Sequence, residues 1–322
     1  MNKKKIYLLI GIIAALLVTL TLSIKHFSTP ETVNAEKLAA EMGVTPITEK
    51  PSPENLIIKT QEARELYDRI MAGDYPTVEE MQNSSTIAQI DRLSDYYTEL
   101  YGITAEIDTP ERRELREKIK EEFLSTGSAR LVTDETTGSS SYVYDGDIET
   151  GYWAELVLGL PASGKSTRAT DPDSEKMKAF IFDCDVIKEL IPEYQESFGG
   201  AANSVHAESE MIQQSALVSF TEGENKGKNI IFPVVAVDVD DLFRTFITPM
   251  EEAGYTVKVK FMECELNASI ARNLARELRT GRIIHSSVVF SFGDKPRKVF
   301  DELCKRKNPE GEYYADESCI CY

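Results

Sequence analysis

The period of apolar and polar positions changes along this chain, and the change divides it. From Trp153 onward, strand-like apolar runs at Trp153–Gly159, Ala179–Asp183, Asn229–Val237 and Thr256–Cys264 are each followed by a helical pattern. Strands alternating with helices predict an α/β fold, a parallel sheet wrapped by helices. Residues 54–126, ahead of it, repeat at helical spacing. Leu56, Ile57, Leu66, Ile70 and Met71 suit one amphipathic helix. Thr77, with Glu80 three residues on, makes a capping box for a second helix running toward Tyr101. Thr109-Pro110-Glu111 starts a third with proline at its first position, ending near Gly127. Thr, Ser and Gly clusters around Tyr142-Val143-Tyr144 predict a hairpin or exposed loop over residues 127–150. Residues 25–53, with Pro30, Pro46, Pro51 and Pro53, read as a linker, 151–310 as the α/β domain and 311–322 as a tail.

The formal net charge is −18 on 322 residues. Such acidity repels polyphosphate backbones and argues against a nucleic-acid partner. It leaves room for a nucleotide whose charge is met locally by a few cations. The five cysteines form no tidy disulfide set. Cys184 and Cys264 sit in apolar runs as small buried hydrophobes. Cys319-Ile320-Cys321 has the spacing of a redox or metal pair, but with no histidine nearby a frayed tail is the expectation.

The chemistry is carried by Gly159-Leu160-Pro161-Ala162-Ser163-Gly164-Lys165-Ser166, a complete phosphate-binding loop, with Thr167 following. Its glycines let backbone N–H groups curl around phosphates, Lys165 reaches the β/γ-phosphates, and the Ser166 hydroxyl can ligate Mg²⁺. On a parallel sheet it lies at the carboxyl end of the first strand, where open α/β folds bind ligands. ATP and Mg²⁺ are therefore the expected cofactors. Asp183-Cys184-Asp185 closes the next strand. In an extended chain Asp183 and Asp185 face one side and Cys184 the other, which suits one carboxylate as a base and Asp183 as a metal ligand; the bland alternative is a helix cap. Arg272, Arg276 and Arg279 fall at i, i+4 and i+7, and Arg282 follows, four arginines in eleven residues. They form either an anion-binding face or a solvated one paired with acids such as Glu277.

The N-terminus raises a separate question. Met1-Asn-Lys-Lys-Lys5 precedes Ile6–Ile24, nineteen residues without a charge, about 28 Å of helix against a hydrocarbon core of about 30 Å. A signal peptide shares this plan with a shorter apolar centre, and the best small-residue site, Val33-Asn34-Ala35, lies eleven residues further on. Residues 1–24 are thus expected to be an uncleaved, single-pass anchor in a lipid bilayer. Lys3, Lys4 and Lys5 place the remainder outside by the positive-inside rule, whereas a need for ATP places it in the cytoplasm.

In order along the chain, the pieces resemble the zeta toxin-like P-loop kinases, which phosphorylate the 3′-hydroxyl of UDP-N-acetylglucosamine with ATP. They are the loop through Thr167, Asp183-Cys-Asp185-Val-Ile-Lys188 with Ile191-Pro-Glu-Tyr194, Val205-His-Ala-Glu208-Ser, Gly227-Lys-Asn-Ile-Ile-Phe-Pro233, and Ala271-Arg-Asn-Leu-Ala-Arg276 through Thr280-Gly-Arg282. The resemblance spans about residues 150–305. It implies Asp185 as catalytic base, Lys165 and Ser166 on phosphate and Mg²⁺, and Arg282 with Arg276 or Arg272 on the transferred phosphoryl group. Asp183, Lys188, His206 and Glu208 are candidates for the acceptor pocket, though a histidine opening a helix is more often structural. The family's Glu-Gly-Thr segment after the third strand has no counterpart: Phe232-Pro-Val-Val-Ala-Val237 carries no acid before Asp238.

The function expected is an ATP-dependent kinase of a small hydroxyl substrate, with a nucleotide sugar named by resemblance. The alternative is a nucleotide-binding regulatory or toxin–antitoxin interaction module, inhibited in cis by helices 54–126 or in trans by an antitoxin-like partner. A nucleic-acid 5′-hydroxyl kinase is disfavoured by the acidic surface.

Overall fold

A computed structural model describes residues 34–125, 129–133, 140–144, 148–166 and 178–321, with 129–133 and 140–144 described by their backbone. Two compact units are formed, residues 1–43 and residues 44–322. In the first, within the stretch read as linker, α1 (Ala35–Met42) is capped by Asn34, whose Oδ1 accepts from Lys37 N at 3.0 Å.

The second unit begins with helices. α2 (Gln61–Met71) starts at the Thr60 cap, so Leu56 and Ile57 precede it rather than belong to it. The capping box at Thr77 and Glu80 forms and opens only a short α3 (Val78–Gln82). Asn83 ends that helix and Ser84 caps α4 (Ser85–Tyr101), which splits the single helix expected here. The η-turn Thr104–Glu106 leads to α5 (Pro110–Ser125), which starts at its proline. β1 (Ala129–Thr133) and β2 (Ser140–Tyr144) pair antiparallel.

Five parallel strands make the main sheet: β3 (Trp153–Gly159), β4 (Phe180–Ile181), β5 (Ile230–Val234), β6 (Thr256–Met262) and β7 (Ile320–Cys321), in the order β4-β5-β3-β6-β7. β3 is central: Leu156 lies opposite Phe232 on one side and Val259 on the other. Ala154, Leu156, Val157 and Leu158 are fully buried, as a strand covered on both faces requires. β4 is shorter than the predicted run because Asp183 already caps the helix that follows. The tail does not fray: β7 extends the sheet edge, with Met262 opposite Cys321, and Cys184, Cys264, Cys304 and Cys319 carry free thiols.

The helices between these strands are α6 (Cys184–Glu189), α7 (Pro192–Glu196), α8 (His206–Thr221), α9 (Val239–Leu242), α10 (Thr248–Glu252), α11 (Leu266–Thr280), α12 (Ser286–Phe292) and α13 (Lys295–Leu303). A π turn, Phe243–Ile247, joins α9 to α10. The chain leaves β3 for β4 on one side and later crosses to β6 on the other. The crevice at the carboxyl ends of β3, β4 and β5 is where such sheets place ligands.

The helical region shares the core of the sheet. Phe123 of α5 is 1% exposed and meets Phe180 and Phe182 edge-on at 5.2 and 5.4 Å. The contacts continue through Phe220 and Phe232 to Phe246. Tyr97 of α4 packs on Gly200, where an added Cβ would lie 2.2 Å from its ring, and its hydroxyl accepts from Ile47 N at 2.8 Å.

The expected bilayer anchor requires a correction. No helix among the described residues is long and apolar enough to cross a membrane, so a single-pass membrane location is not supported. Residues 6–24 lie outside the described residues.

Truncating Phe123 removes the wedge between α5 and the sheet. Phe123→Ala is expected to cost about 3–5 kcal/mol, read as a lower urea midpoint; a loss under about 1 kcal/mol would show that α5 does not share this core.

Candidate functional site

β3 delivers the phosphate-binding loop to the crevice. Gly164 has φ +93° and Ala162 φ +52°, turning successive amides toward one side. At Gly159 an added Cβ would come within 2.8 Å of Ser163 Oγ and 3.0 Å of Met262 O. The loop is tethered from below by Ser269 of α11, whose hydroxyl donates to Pro161 O at 2.7 Å. Lys165 Nζ donates to Gly159 O at 3.1 Å and Leu160 O at 2.7 Å. Burial pushes its ammonium down to about 8, against the attraction of Asp183. Ser163 Oγ is buried and has no hydrogen-bond partner among the described residues. A glycine cradle, an orphaned hydroxyl and an adjacent lysine fit a polyphosphate. Thr167 lies outside the described residues.

Asp183 caps α6, its Oδ1 accepting from Asp185 N at 2.9 Å. The helix therefore begins at Cys184, and the strand alternation expected to turn Cys184 away does not operate. Asp183, Cys184 and Asp185 bring their ligand atoms within 4.8 Å of one another. Burial pushes the Cys184 thiol up to about 12 and keeps it protonated, so the two carboxylates are the donors a hard cation such as Mg²⁺ would select.

Asp185 is the meeting point. Its Oδ2 accepts from Arg282 Nη2 and its Oδ1 from Lys188 Nζ at 3.1 Å. Burial opposes its ionisation, yet the charges of Arg282, Lys188 and Arg276 hold the carboxyl well below the usual range. Lys188, 5% exposed, thus orients Asp185. Arg282 is fixed by two glycines set back to back. An added Cβ at Gly281 would sit 2.3 Å from Phe198 O, and one at Gly199 would sit 3.0 Å from the Arg282 backbone.

The arginine face divides. Arg276 and Arg279 line the crevice, each with a buried Nε that lacks a hydrogen-bond partner among the described residues, as does Arg282. Burial, with the nearby charge of Arg282, pushes Arg276 down to about 10. Arg272 is exposed at the rim: its Nε donates to Tyr75 OH at 2.9 Å and its guanidinium lies 5.1 Å over the Tyr75 ring.

His206 opens α8 on the crevice wall, where desolvation, with Lys188 nearby, pushes its imidazole down to about 4. Glu208 does not line the crevice, and its placement in an acceptor pocket is corrected. Its carboxylate is 1% exposed and accepts from Arg112 Nε at 2.8 Å and Arg116 Nε at 2.7 Å, and Arg112 also binds Glu193. Two turns of α5 place both arginines over α8, and the buried acid is their counterion.

Other wall residues were given no role from the sequence: Lys50, Tyr75, Glu189, Tyr194 and Gln213. Tyr194 stands in the Ile191–Tyr194 piece of the resemblance, and Glu189 was findable one helical turn after Asp185. Burial pushes it up to about 7 and the Tyr194 phenol up to about 12. Pro233, Val234, Val235, Ala236 and Val237 also face the crevice, an apolar stretch ending at Asp238, which caps α9. The crevice encloses about 1580 Å³.

A phosphate-binding loop at the carboxyl end of the central strand of a parallel sheet, flanked by helices, defines a P-loop nucleotide-binding fold of the kinase type. The model of the zeta toxin family matches residues 153–317, about half the chain, and the protein belongs to that family. No curated protein matches it significantly. Among solved structures, a putative kinase from Chloroflexus aurantiacus aligns at 17% identity over 46% of this chain and 80% of its own, with a TM-score of 0.36. A structure from the PezAT chromosomal toxin–antitoxin system of Streptococcus pneumoniae aligns at 14% identity over 62% of this chain and 72% of its own, with a TM-score of 0.42.

Because Glu208 neutralises two half-enclosed guanidiniums away from the crevice, Glu208→Ala is expected to cost about 3–5 kcal/mol of stability and to leave affinity for an ATP analogue unchanged. Denaturant unfolding and calorimetric titration check both. Weakened nucleotide binding in a fully folded variant would return Glu208 to the site.

Proposed function

We propose that the chain is an ATP-dependent phosphotransferase acting on a hydroxyl of a small substrate, with a nucleotide sugar of the UDP-N-acetylglucosamine type as the expected acceptor. The observation that carries this reading is the Asp185 carboxylate, held by Arg282 and Lys188 on the wall of the crevice that also holds the Lys165 loop. Membership of the zeta toxin family supports a kinase-type enzyme. The volume of 1580 Å³ exceeds the roughly 300–1,000 Å³ usual for one small-molecule ligand and gives room for donor and acceptor together.

Bound ATP would supply the transferable phosphoryl group, and Mg²⁺ on Ser166 and Asp183 would offset its charge. The loop amides and Lys165 bind the phosphates. Asp185, ionised throughout the physiological range, accepts the hydrogen bond of the acceptor hydroxyl and aims it. A weak base suits a loose phosphoryl transfer, in which positioning and charge matter more than early proton removal. Arg276 and Arg282 donate to the developing negative charge, with Arg272 in reserve at the rim. His206, neutral at pH 7, is an acceptor-side wall group, and the apolar 233–237 stretch replaces the acid that the family aims at the sugar.

A second reading is a nucleotide-binding regulatory or toxin–antitoxin interaction module with little catalysis. Lys50, Pro51, Ser52, Met71 and Tyr75 line the crevice, and Tyr75 holds Arg272.

Asp185→Asn is expected to lower phosphoryl transfer to nucleotide sugars by about 10²–10⁴-fold and to leave ATP affinity nearly intact. Equal loss of binding and turnover would remove the assigned role. Tyr75→Ala separates the two readings. A rise in transfer means that the wall restrains the site, a fall means that it belongs to it, and nucleotide binding without transfer in both forms favours the binding module.

A further inference from the structure

Beneath the arginine helix lies a carboxyl group that this chemistry does not use. Glu277 of α11 is 4% exposed and does not line the crevice. Its Oε1 accepts from Asn273 Nδ2 at 2.8 Å, one turn earlier on the helix, and from Ile284 N at 2.9 Å, beyond the Gly281–Arg282 turn. Asn273 Oδ1 in turn accepts from Arg276 Nη2. One oxygen atom therefore steadies both arginines, Arg276 through an asparagine relay and Arg282 through the main chain two residues on.

The groups facing it come from three elements. Asp91 of α4 accepts from Ser286 N at 2.7 Å and Ser286 Oγ at 2.6 Å. His285 stands 3.7 Å from both Asp91 and Asp95. Arg276 is on Glu277's own helix. A cavity of about 10 Å³ between α4 and α11, lined by Ile87, Ile90, Glu277 and Phe290 among others, has room for about one water.

We propose that Glu277 is a positioning residue for phosphoryl transfer, fixing Arg276 and the turn that carries Arg282 at the crevice. This rests on the phosphotransferase reading above. Burial pushes the Glu277 carboxyl up to about 8, so the neutral acid is the main form at pH 7. Both donors address one oxygen, which accepts in the neutral and the ionised carboxyl alike. A glutamine would keep it too; an alanine would not.

The test uses the full chain with Glu277→Gln, Glu277→Ala and Asn273→Ala, read by steady-state kinetics and by the ¹⁵N–¹H Nε resonances of Arg276 and Arg282. Glu277→Ala is expected to lose about 10²-fold in kcat, the scale of a misplacement near 1 Å, with KM for ATP changed less than about threefold. Both Nε resonances should shift or broaden. Glu277→Gln should retain kcat and both resonances, and Asn273→Ala should disturb Arg276 alone. The inference is overturned if Glu277→Gln loses as much as Glu277→Ala, or if Asn273→Ala leaves the Arg276 resonance in place. Should Glu277→Ala fail to fold, the other two variants still decide. Absence of transfer by the wild type would remove the phosphotransferase reading, while the resonances would still report whether Glu277 holds the arginines.

Discussion

The structure depends on gathering five cationic side chains on one crevice of an otherwise acidic molecule. The net charge is −18, yet Lys165, Lys188, Arg276, Arg279 and Arg282 converge on the carboxyl ends of three strands. Like charges this close repel one another; the depression of Arg276, to which Arg282 contributes, expresses part of that cost. Asp185 is the counter-charge that makes the cluster tolerable, and the same repulsion gives an incoming polyanion its welcome. In the proposed transfer, Asp185 cannot be both the internal partner of Arg282 and the orienter of an acceptor hydroxyl with equal strength. A negative phosphoryl group drawing Arg282 away would free the carboxylate just when the acceptor needs it.

Holding charges against their repulsion requires stiff support, and the support explains much of the local sequence. Gly281 and Gly199 permit a backbone approach that any side chain would block. Ser269 ties the arginine helix to the phosphate loop from below, so one helix positions both the loop and the arginines. Glu277 and Asn273 lie on that helix, facing the helical region instead of the crevice.

What the sequence made legible follows from which signals are local. The loop at 159–166, the strand–helix alternation and the capping box at Thr77 depend on near neighbours, and among the described residues they stand where predicted; the helix expected after the loop lies outside those residues. The parallel sheet is present, though β4 is cut to two residues because the Asp183 cap intervenes. Glu208 was misplaced because its partners, Arg112 and Arg116, lie more than ninety positions away, and a buried counterion has the same local signature as a pocket acid. Tyr75 and Lys50 were invisible for the same reason. Cys184 was assigned to the wrong side because a period of two was carried one residue past the point where the helix begins. Which roles Asp185, Arg276 and Arg282 take remains the proposal of the resemblance and the geometry together.

The helical region is the least expected contributor, and its attachments limit how it can act. Phe123 enters the sheet core, Tyr97 fills the space above Gly200, and the Arg112–Glu208–Arg116 cluster ties α5 to α8. Ile57 N donates to Leu278 O on the arginine helix at 2.9 Å. Detaching these helices as a body would expose aromatic core and strand a buried carboxylate, a cost of many kcal/mol by any of the relevant scales. Any influence of this region on the site is therefore local, a shift of Tyr75 off Arg272 or of Lys50–Ser52 at the wall. A side chain that moves a few ångströms can gate a crevice on the time scale of turnover, whereas a region sharing the core cannot.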